Sequence, residues 1–195
     1  MVNRSSPLNR PLCTSDSDPI RVDFLPQSVT RLGGKIGLTL APGKCNIGMV
    51  AHWQRNLNQD LTRLRYHHGT DVLVTLLEVH EFAQLQIESL FEQIEALGMR
   101  SHWFPIPDFN VPASLPDLAT LVHEIIALAN AGQTVVIHCK AGLGRSGLVA
   151  AACLVALGYS KNEALGHVRQ ARPGTVETLS QENFVEAFAQ AYFKL

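Results

Sequence analysis

The unit that most limits how this chain can fold runs from residue 134 to residue 158. Thr134-Val135-Val136-Ile137 is a short β-branched run of the kind that forms a strand buried on both faces. Leu148-Val149-Ala150-Ala151-Ala152-Cys153-Leu154-Val155-Ala156-Leu157 follows after a short turn and is closed by Gly158, which reads as a buried helix with its stop signal. A strand buried on both faces needs a strand on each side and a helical layer above and below it. The unit therefore calls for a layered α/β fold.

The rest of the chain supplies the missing layers. Ile20 to Leu25 alternates and predicts a strand stopped by Pro26, and Lys35 to Leu40 predicts a second after the Gly33-Gly34 turn. These two predict an antiparallel hairpin at the sheet edge. Leu57, Leu61 and Leu64 predict a helix over 54–68, and Asp71 to Leu77 a buried strand. Phe82, Leu85, Leu90, Phe91, Ile94 and Leu97 do not share one phase, so 78–97 reads as two helical pieces. A short strand over 99–104 and an amphipathic helix over 115–130 precede the central unit. Helices over 160–169 and 178–193 follow it, each opening on a Ser or Thr with an acid three or four positions on.

The expected architecture is a single α/β domain over 20–195. Its central, mostly parallel sheet carries the N-terminal hairpin at one edge and helices on both faces. Residues 1–19 are polar, with Pro and Ser and no periodicity, and read as a loose arm. A hydrophobic content of 46% excludes disorder of the whole. Sixteen basic and 17 acidic residues leave a formal net charge of −1, which points away from nucleic acid. No apolar run reaches the roughly eighteen residues of a spanning helix, and the N-terminus has no apolar secretory core. With four cysteines better suited to a reducing compartment than to a disulfide scaffold, a cytoplasmic monomer with no membrane partner is expected. Eight histidines raise the idea of a metal, yet neither His-Glu-x-x-His nor paired-Cys spacing occurs. No metal and no cofactor are expected.

Between strand and helix lies His138-Cys139-Lys140-Ala141-Gly142-Leu143-Gly144-Arg145-Ser146-Gly147. Gly142 and Gly144 permit the positive φ that a tight reversal demands. Successive N–H groups in such a reversal converge into a cup for an anion, and the helix N-terminus adds about half a unit of positive charge. Arg145 offers a planar, two-pronged donor suited to phosphate oxygens. The same positive field favours a thiolate at Cys139. An anion cup with a nucleophile at its lip is what phosphoryl transfer needs. Attack on a phosphoester also leaves an oxygen that requires a proton. Asp108 is the candidate acid, 31 residues upstream in a loop stiffened by Pro105, Pro107 and Pro112; the plainer role for it is turn formation.

His-Cys-x5-Arg-Ser resembles the signature loop of the cysteine-dependent protein tyrosine phosphatase superfamily. The interior Lys140-Ala141-Gly142-Leu143-Gly144 most resembles the dual-specificity branch that includes the kinase-associated phosphatases. The resemblance spans roughly residues 20 to 190 and implies a phosphatase-like fold. It further implies that Lys140 through Arg145 bind phosphate, that Cys139 is the nucleophile, and that Asp108 is the general acid on its Pro-Ile-Pro-Asp run. Ser146 would then hydrogen-bond the cysteine sulfur, against the plainer role of helix cap, and His138 would orient the loop as a supporting residue. Glu177-Thr178-Leu179-Ser180-Gln181 is similar to a family segment whose first Gln positions the hydrolytic water. Gln181 matches the second Gln, but Glu177 stands where the first is expected and brings negative charge that would slow turnover. Cys45 and Cys153 are candidates for a reversible disulfide with Cys139, with an apolar core role the plainer one for Cys153.

The implied activity is hydrolysis of phosphotyrosine, with phosphoserine and phosphothreonine as further substrates, in a phosphoprotein. A phosphoinositide phosphatase would favour two lysines in the loop, where this one has Lys140 and Leu143. A sulfurtransferase or arsenate reductase would need neither Asp108 nor Ser146. An inactive phosphate-binding module would have lost Cys139, Arg145 or Asp108, and all three are present.

Overall fold

The structure is a computed structural model that describes residues 10–192. In chain order its elements are β1 (Leu12–Cys13), β2 (Asp23–Phe24), α1 (Gln27–Thr30), β3 (Lys35–Thr39), β4 (Cys45–Ile47), β5 (His52–Gln54) and α2 (Leu57–Tyr66). There follow β6 (Val72–Thr75), α3 (Val79–Leu85), α4 (Leu90–Ala96), β7 (Arg100–Trp103), α5 (Leu115–Asn130), β8 (Thr134–His138), α6 (Gly144–Ala156), α7 (Lys161–Ala171) and α8 (Leu179–Ala191). The main sheet has the order β2-β3-β8-β6-β7. β3, β8, β6 and β7 run parallel, and β2 closes one edge antiparallel to β3.

Side chains alternate across this sheet as a two-residue period requires. Val72, Val74, Val135 and Ile137 point into a core shared with α5, α6, α7 and α8. Leu73 and Val136 point the other way, into a second core with Leu61 and Leu64 of α2 and Leu90 and Ile94 of α4. β8 is thus flanked by strands on both sides and by apolar layers on both faces, the position that its sequence demanded. Its carboxyl end, where open α/β sheets bind ligands, leads directly into residues 139–143.

Several local expectations are corrected. The edge pair is antiparallel, but its first strand is only Asp23–Phe24, and α1 stands between the two strands. Pro26 precedes that helix with φ −58°, a value the proline ring itself imposes. The helix expected over 54–68 begins at Leu57, where the Asn56 side chain accepts from the Gln59 N–H as an N-cap; residues 52–54 instead form β5. α6 starts at Gly144, not at Leu148, and so takes Arg145 and Ser146 into its first turn. The α8 cap pairs Thr178 with Gln181 rather than with an acid. A second sheet of order β1-β5-β4 was not foreseen, because strands of two or three residues carry no periodic signal.

The arm expected over 1–19 is anchored over its described part. Residues 1–9 lie outside the described residues. From there on β1 pairs with β5, and the hydroxyl of Ser15, itself 3% exposed, accepts the Asn56 N–H at 2.9 Å. Arg55 then donates to the Asp18 carbonyl at 2.8 Å.

Candidate active site

Residues 139–143 form the turn between β8 and α6, and its shape rests on Gly142. This residue has φ +74°, and a Cβ on it would stand 2.3 Å from the Thr39 carbonyl oxygen. Only glycine meets both conditions. The turn is held from outside by Arg172 Nη2, which donates to the Ala141 carbonyl at 3.0 Å. The Leu143 carbonyl accepts the N–H groups of Gly147 and Val176. Leu143 at the N-cap position has no side chain that can cap α6; the Gly144 N–H meets the Glu177 carboxyl instead, a place where an anion is favoured.

Cys139 lies at the end of β8, 3% exposed. Its Sγ shares a hydrogen bond of 3.5 Å with Ser146 Oγ. Ser146 therefore faces the sulfur and is not the helix cap. Arg145 is 1% exposed and is clamped along its outer edge. Nη1 donates to Glu81 Oε2 at 2.6 Å and to the Ile106 carbonyl at 3.0 Å, while Nη2 donates to Glu81 Oε1 at 2.9 Å. Nη2 also meets Asp108 Oδ1 at 2.9 Å. Nε is buried without a partner. Burial on its own would lower the Arg145 pKa, but the Glu81 hydrogen bonds and the Cys139 and Asp108 charges carry it upward. The guanidinium stays charged and presents a free donor.

Glu81 is a site residue that sequence reasoning missed. Burial raises its carboxyl, yet the Arg145 hydrogen bonds and the Glu78 N–H outweigh this and leave it below its usual value. Glu78-x-x-Glu81, directly after the strand expected over 71–77, marks a helix start, but nothing in that spacing tells that Glu81 meets Arg145. Thr75 was also missed. It shares a 2.9 Å hydrogen bond with His138 Nε2, the two being register partners across β6 and β8. Burial takes His138 down to about 4, with the Cys139 backbone working against that shift and Arg145 with it. His138 is thus fully buried and neutral.

Asp108 sits on the exposed turn after Ile106, its side chain 38% exposed. Phe109 beside it holds φ +57°, an unusual backbone for an aromatic residue. Gln181 is fully buried with both ends of its amide engaged. Its oxygen accepts from Glu177 N at 3.0 Å, and its nitrogen donates to the Asn110 carbonyl at 3.1 Å. It ties the Asp108 turn to the start of α8. Glu177 follows Val176, a β-branched residue at φ +57°. Burial raises the Glu177 carboxyl, the Gly144 N–H opposes, and the Asp108 charge raises it further. Lys140 remains half-exposed on the rim, with its charge reaching Glu81.

Cys153 lies in the α6 core, fully buried, and burial pushes its thiol up to about 12. A thiol so placed is a poor partner for disulfide exchange, which removes the physical basis for pairing it with Cys139. Cys45 is half-buried in β4 with its Sγ near the Arg55 carbonyl at 3.3 Å. No group of three metal-ligating side chains occurs among the described residues.

The geometry has its counterpart in known proteins. The family model of cyclin-dependent kinase inhibitor 3 (CDKN3) matches residues 5–164. The cyclin-dependent kinase inhibitor 3 of Sus scrofa is 31% identical over 177 residues, covering 89% of this chain and 80% of that protein. That of Rattus norvegicus is 29% identical over 176 residues, with the same shares covered. Among solved structures, a kinase associated phosphatase (KAP) with its catalytic-site cysteine changed to serine has a TM-score of 0.82 at 25% identity, covering 91% of this chain and 98% of that one. Tk-PTP in its active form gives 0.68 at 28% identity, covering 87% and 96%. With a cysteine at the β8–α6 turn, an arginine whose Nε has no partner and a carboxylate on its Nη2 already in place, these matches mean that the chain belongs to the cyclin-dependent kinase inhibitor 3 (CDKN3) family and is a cysteine-dependent protein phosphatase of the dual-specificity branch.

Proposed function

We propose that Cys139 is the nucleophile, Arg145 with the amides of Lys140 to Gly144 the phosphate clamp, and Asp108 the general acid. The observation that carries this reading is the state of Arg145, held on its outer edge by Glu81 and the Ile106 carbonyl, with its buried Nε unpartnered. A phosphate oxygen fits that donor and the start of α6, where it would compete with the Glu177 carboxyl for the Gly144 N–H. In the first step the Cys139 thiolate forms an S–P bond as the ester P–O bond breaks, and the Asp108 carboxyl proton passes to the leaving oxygen. Asp108 must then leave Nη2, so the Asp108–Arg145 pair describes the site awaiting substrate. In the second step water forms a P–O bond as the S–P bond breaks. Asp108 takes the water proton, and the Ser146 hydroxyl donates to the departing thiolate.

The substrate is a phosphotyrosyl or phosphothreonyl protein. A phosphorylated kinase is the candidate that the name of the kinase associated phosphatase brings forward. A lipid monoester is the weaker reading. A phosphatidylglycerophosphate phosphatase of Arabidopsis thaliana is 32% identical, but over 68% of this chain against 89% for the CDKN3 relatives. The protein acts as a monomer in the cytoplasm; its free thiols at Cys13, Cys45, Cys139 and Cys153 fit a reducing compartment.

Hydrolysis of phosphotyrosyl and phosphothreonyl peptides with EDTA present tests the assignment. Cys139→Ser should abolish turnover, and Asp108→Asn should lower kcat by about 10²- to 10⁴-fold with KM little changed. Turnover by Cys139→Ser removes the nucleophile assignment. An unchanged kcat in Asp108→Asn removes the acid.

A further inference from the structure

Lys44 lies in the turn between β3 and β4, only 4% exposed. Its Nζ donates to the Lys140 carbonyl at 3.1 Å, one residue beyond the nucleophile. It also stands 4.0 Å from the centre of the Trp53 ring on β5. The nearby acids are committed elsewhere. Asp60 accepts from both sides of the Arg55 guanidinium and from the Gly43 N–H, and Asp23 is paired with Arg172. Lys44 itself has no carboxylate partner within salt-bridge distance among the described residues. The charged groups whose fields reach it are Cys139, Arg55, Arg172 and Lys140. Three are cations, and the fourth is an anion only when its thiol has ionised.

A buried ammonium without a counter-charge is destabilising. One carbonyl and one aromatic face answer part of its demand, and the rest falls on Cys139. We propose that Lys44 is a positioning residue that supplies the counter-charge for the Cys139 thiolate while tying down the first peptide of the signature loop. The inference rests on Cys139 being the nucleophile. It also gives the three-stranded sheet a purpose, since β4 begins at the residue after Lys44 and β5 carries the Trp53 ring under it.

The charge is present where it is needed. Burial lowers Lys44 to about 8, Cys139 acting against that shift and Arg55, Arg172 and Lys140 with it. Lys44 is therefore protonated through neutral pH and neutral above about 8. Its influence on the sulfur is therefore felt below that pH, where Lys44 carries its charge.

Two measurements test the proposal. In the first, alkylation of the Cys139 peptide by iodoacetamide is followed by mass spectrometry against pH in wild type, Lys44→Met and Lys44→Arg. Lys44→Met should move the midpoint up by about one pH unit, a fall of about tenfold in rate on the acid limb, and Lys44→Arg should restore it. Identical midpoints in all three proteins overturn the proposal, and so does an equal shift in both variants, which would mean packing rather than charge. In the second, the Lys44 side-chain resonance is titrated by NMR in wild type and in Cys139→Ser, which needs no Lys44 variant to fold. Linkage is reciprocal, so losing the thiolate should move the Lys44 midpoint down, and an unmoved midpoint sinks the idea. Failure of the nucleophile assignment would look different: Cys139→Ser would keep its phosphatase activity whatever Lys44 does.

Discussion

Glu177 sets a limit on the site at the scale of one side chain. Its carboxyl faces the Gly144 N–H and feels the Asp108 charge, so an incoming phosphate dianion meets a like charge at the mouth of its own cup. Val176 before it is strained into the left-handed region, at a cost of order 1–3 kcal/mol that structures keep at functional sites. In a partly exposed, solvent-screened position one like charge is worth about 1 kcal/mol, or roughly fivefold. Glu177→Gln should therefore raise kcat/KM about fivefold at pH 7.5. The gain should fade toward acid pH, where the wild-type carboxyl, already raised by burial, takes up its proton. A pH series of kcat/KM for both proteins measures this, and a gain that persists undiminished at pH 4.5, where a carboxyl raised above its ordinary value is more than half protonated, would refute the charge argument. The departure at Glu177 was legible because it falls inside a short contiguous motif, as do Cys139, Arg145 and Ser146. Glu81, Thr75 and Lys44 were not, since each reaches the site from a different element, and no local spacing encodes such a meeting.

The strand-to-helix turn depends, as an element, on β3 as much as on its own residues. Gly142 combines φ +74° with a Cβ position 2.3 Å from the Thr39 carbonyl oxygen, whereas Gly158, at φ +99° after α6, faces nothing within 4 Å. Gly142→Ala must push main chain against main chain, so both the cup and the β3–β8 contact shift. It should lose on the order of 1–3 kcal/mol of stability together with most of its affinity for vanadate. Gly158→Ala carries only the backbone strain and should keep its affinity. Urea unfolding and vanadate inhibition of the two variants decide the matter, and a Gly142→Ala protein that binds vanadate normally would refute the close approach. The long elements were legible for the reason that makes this turn recognisable: β8 and α6 are contiguous apolar runs, and α5 repeats its apolar face over four turns. The short strands β1, β4 and β5 were not, because pairing across the chain, rather than pattern along it, makes them strands. The described part of the N-terminal arm is held by those pairings and by the Arg55–Asp60 pair, at 2.7 Å and fully buried, which no local rule anticipates.

Across the whole molecule, the two cores meet along β8, which ends on one buried imidazole. His138 ends the central strand β8, between the apolar layers of both faces, and is neutral because burial holds it at about 4 against a usual 6.5. The folded state therefore refuses a proton that the unfolded chain accepts. Its contribution to stability is complete above pH 6.5, erodes as the pH falls toward 4, and amounts to about 3 kcal/mol over the whole interval. The Glu81 carboxyl, depressed by Arg145, also loses its contribution on acidification, but only as pH falls below the ordinary carboxylate range and through its own lowered value. The two windows are therefore separable. Urea unfolding of wild type and His138→Gln at pH 7.5 and pH 4.5 isolates the histidine, because every carboxylate is common to both. The variant will be the less stable at pH 7.5, having lost a packed partner of Thr75, but the gap should close by about 2 kcal/mol at pH 4.5. If the gap stays constant, His138 titrates alike in the folded and unfolded chain, and the central strand carries no buried neutral imidazole.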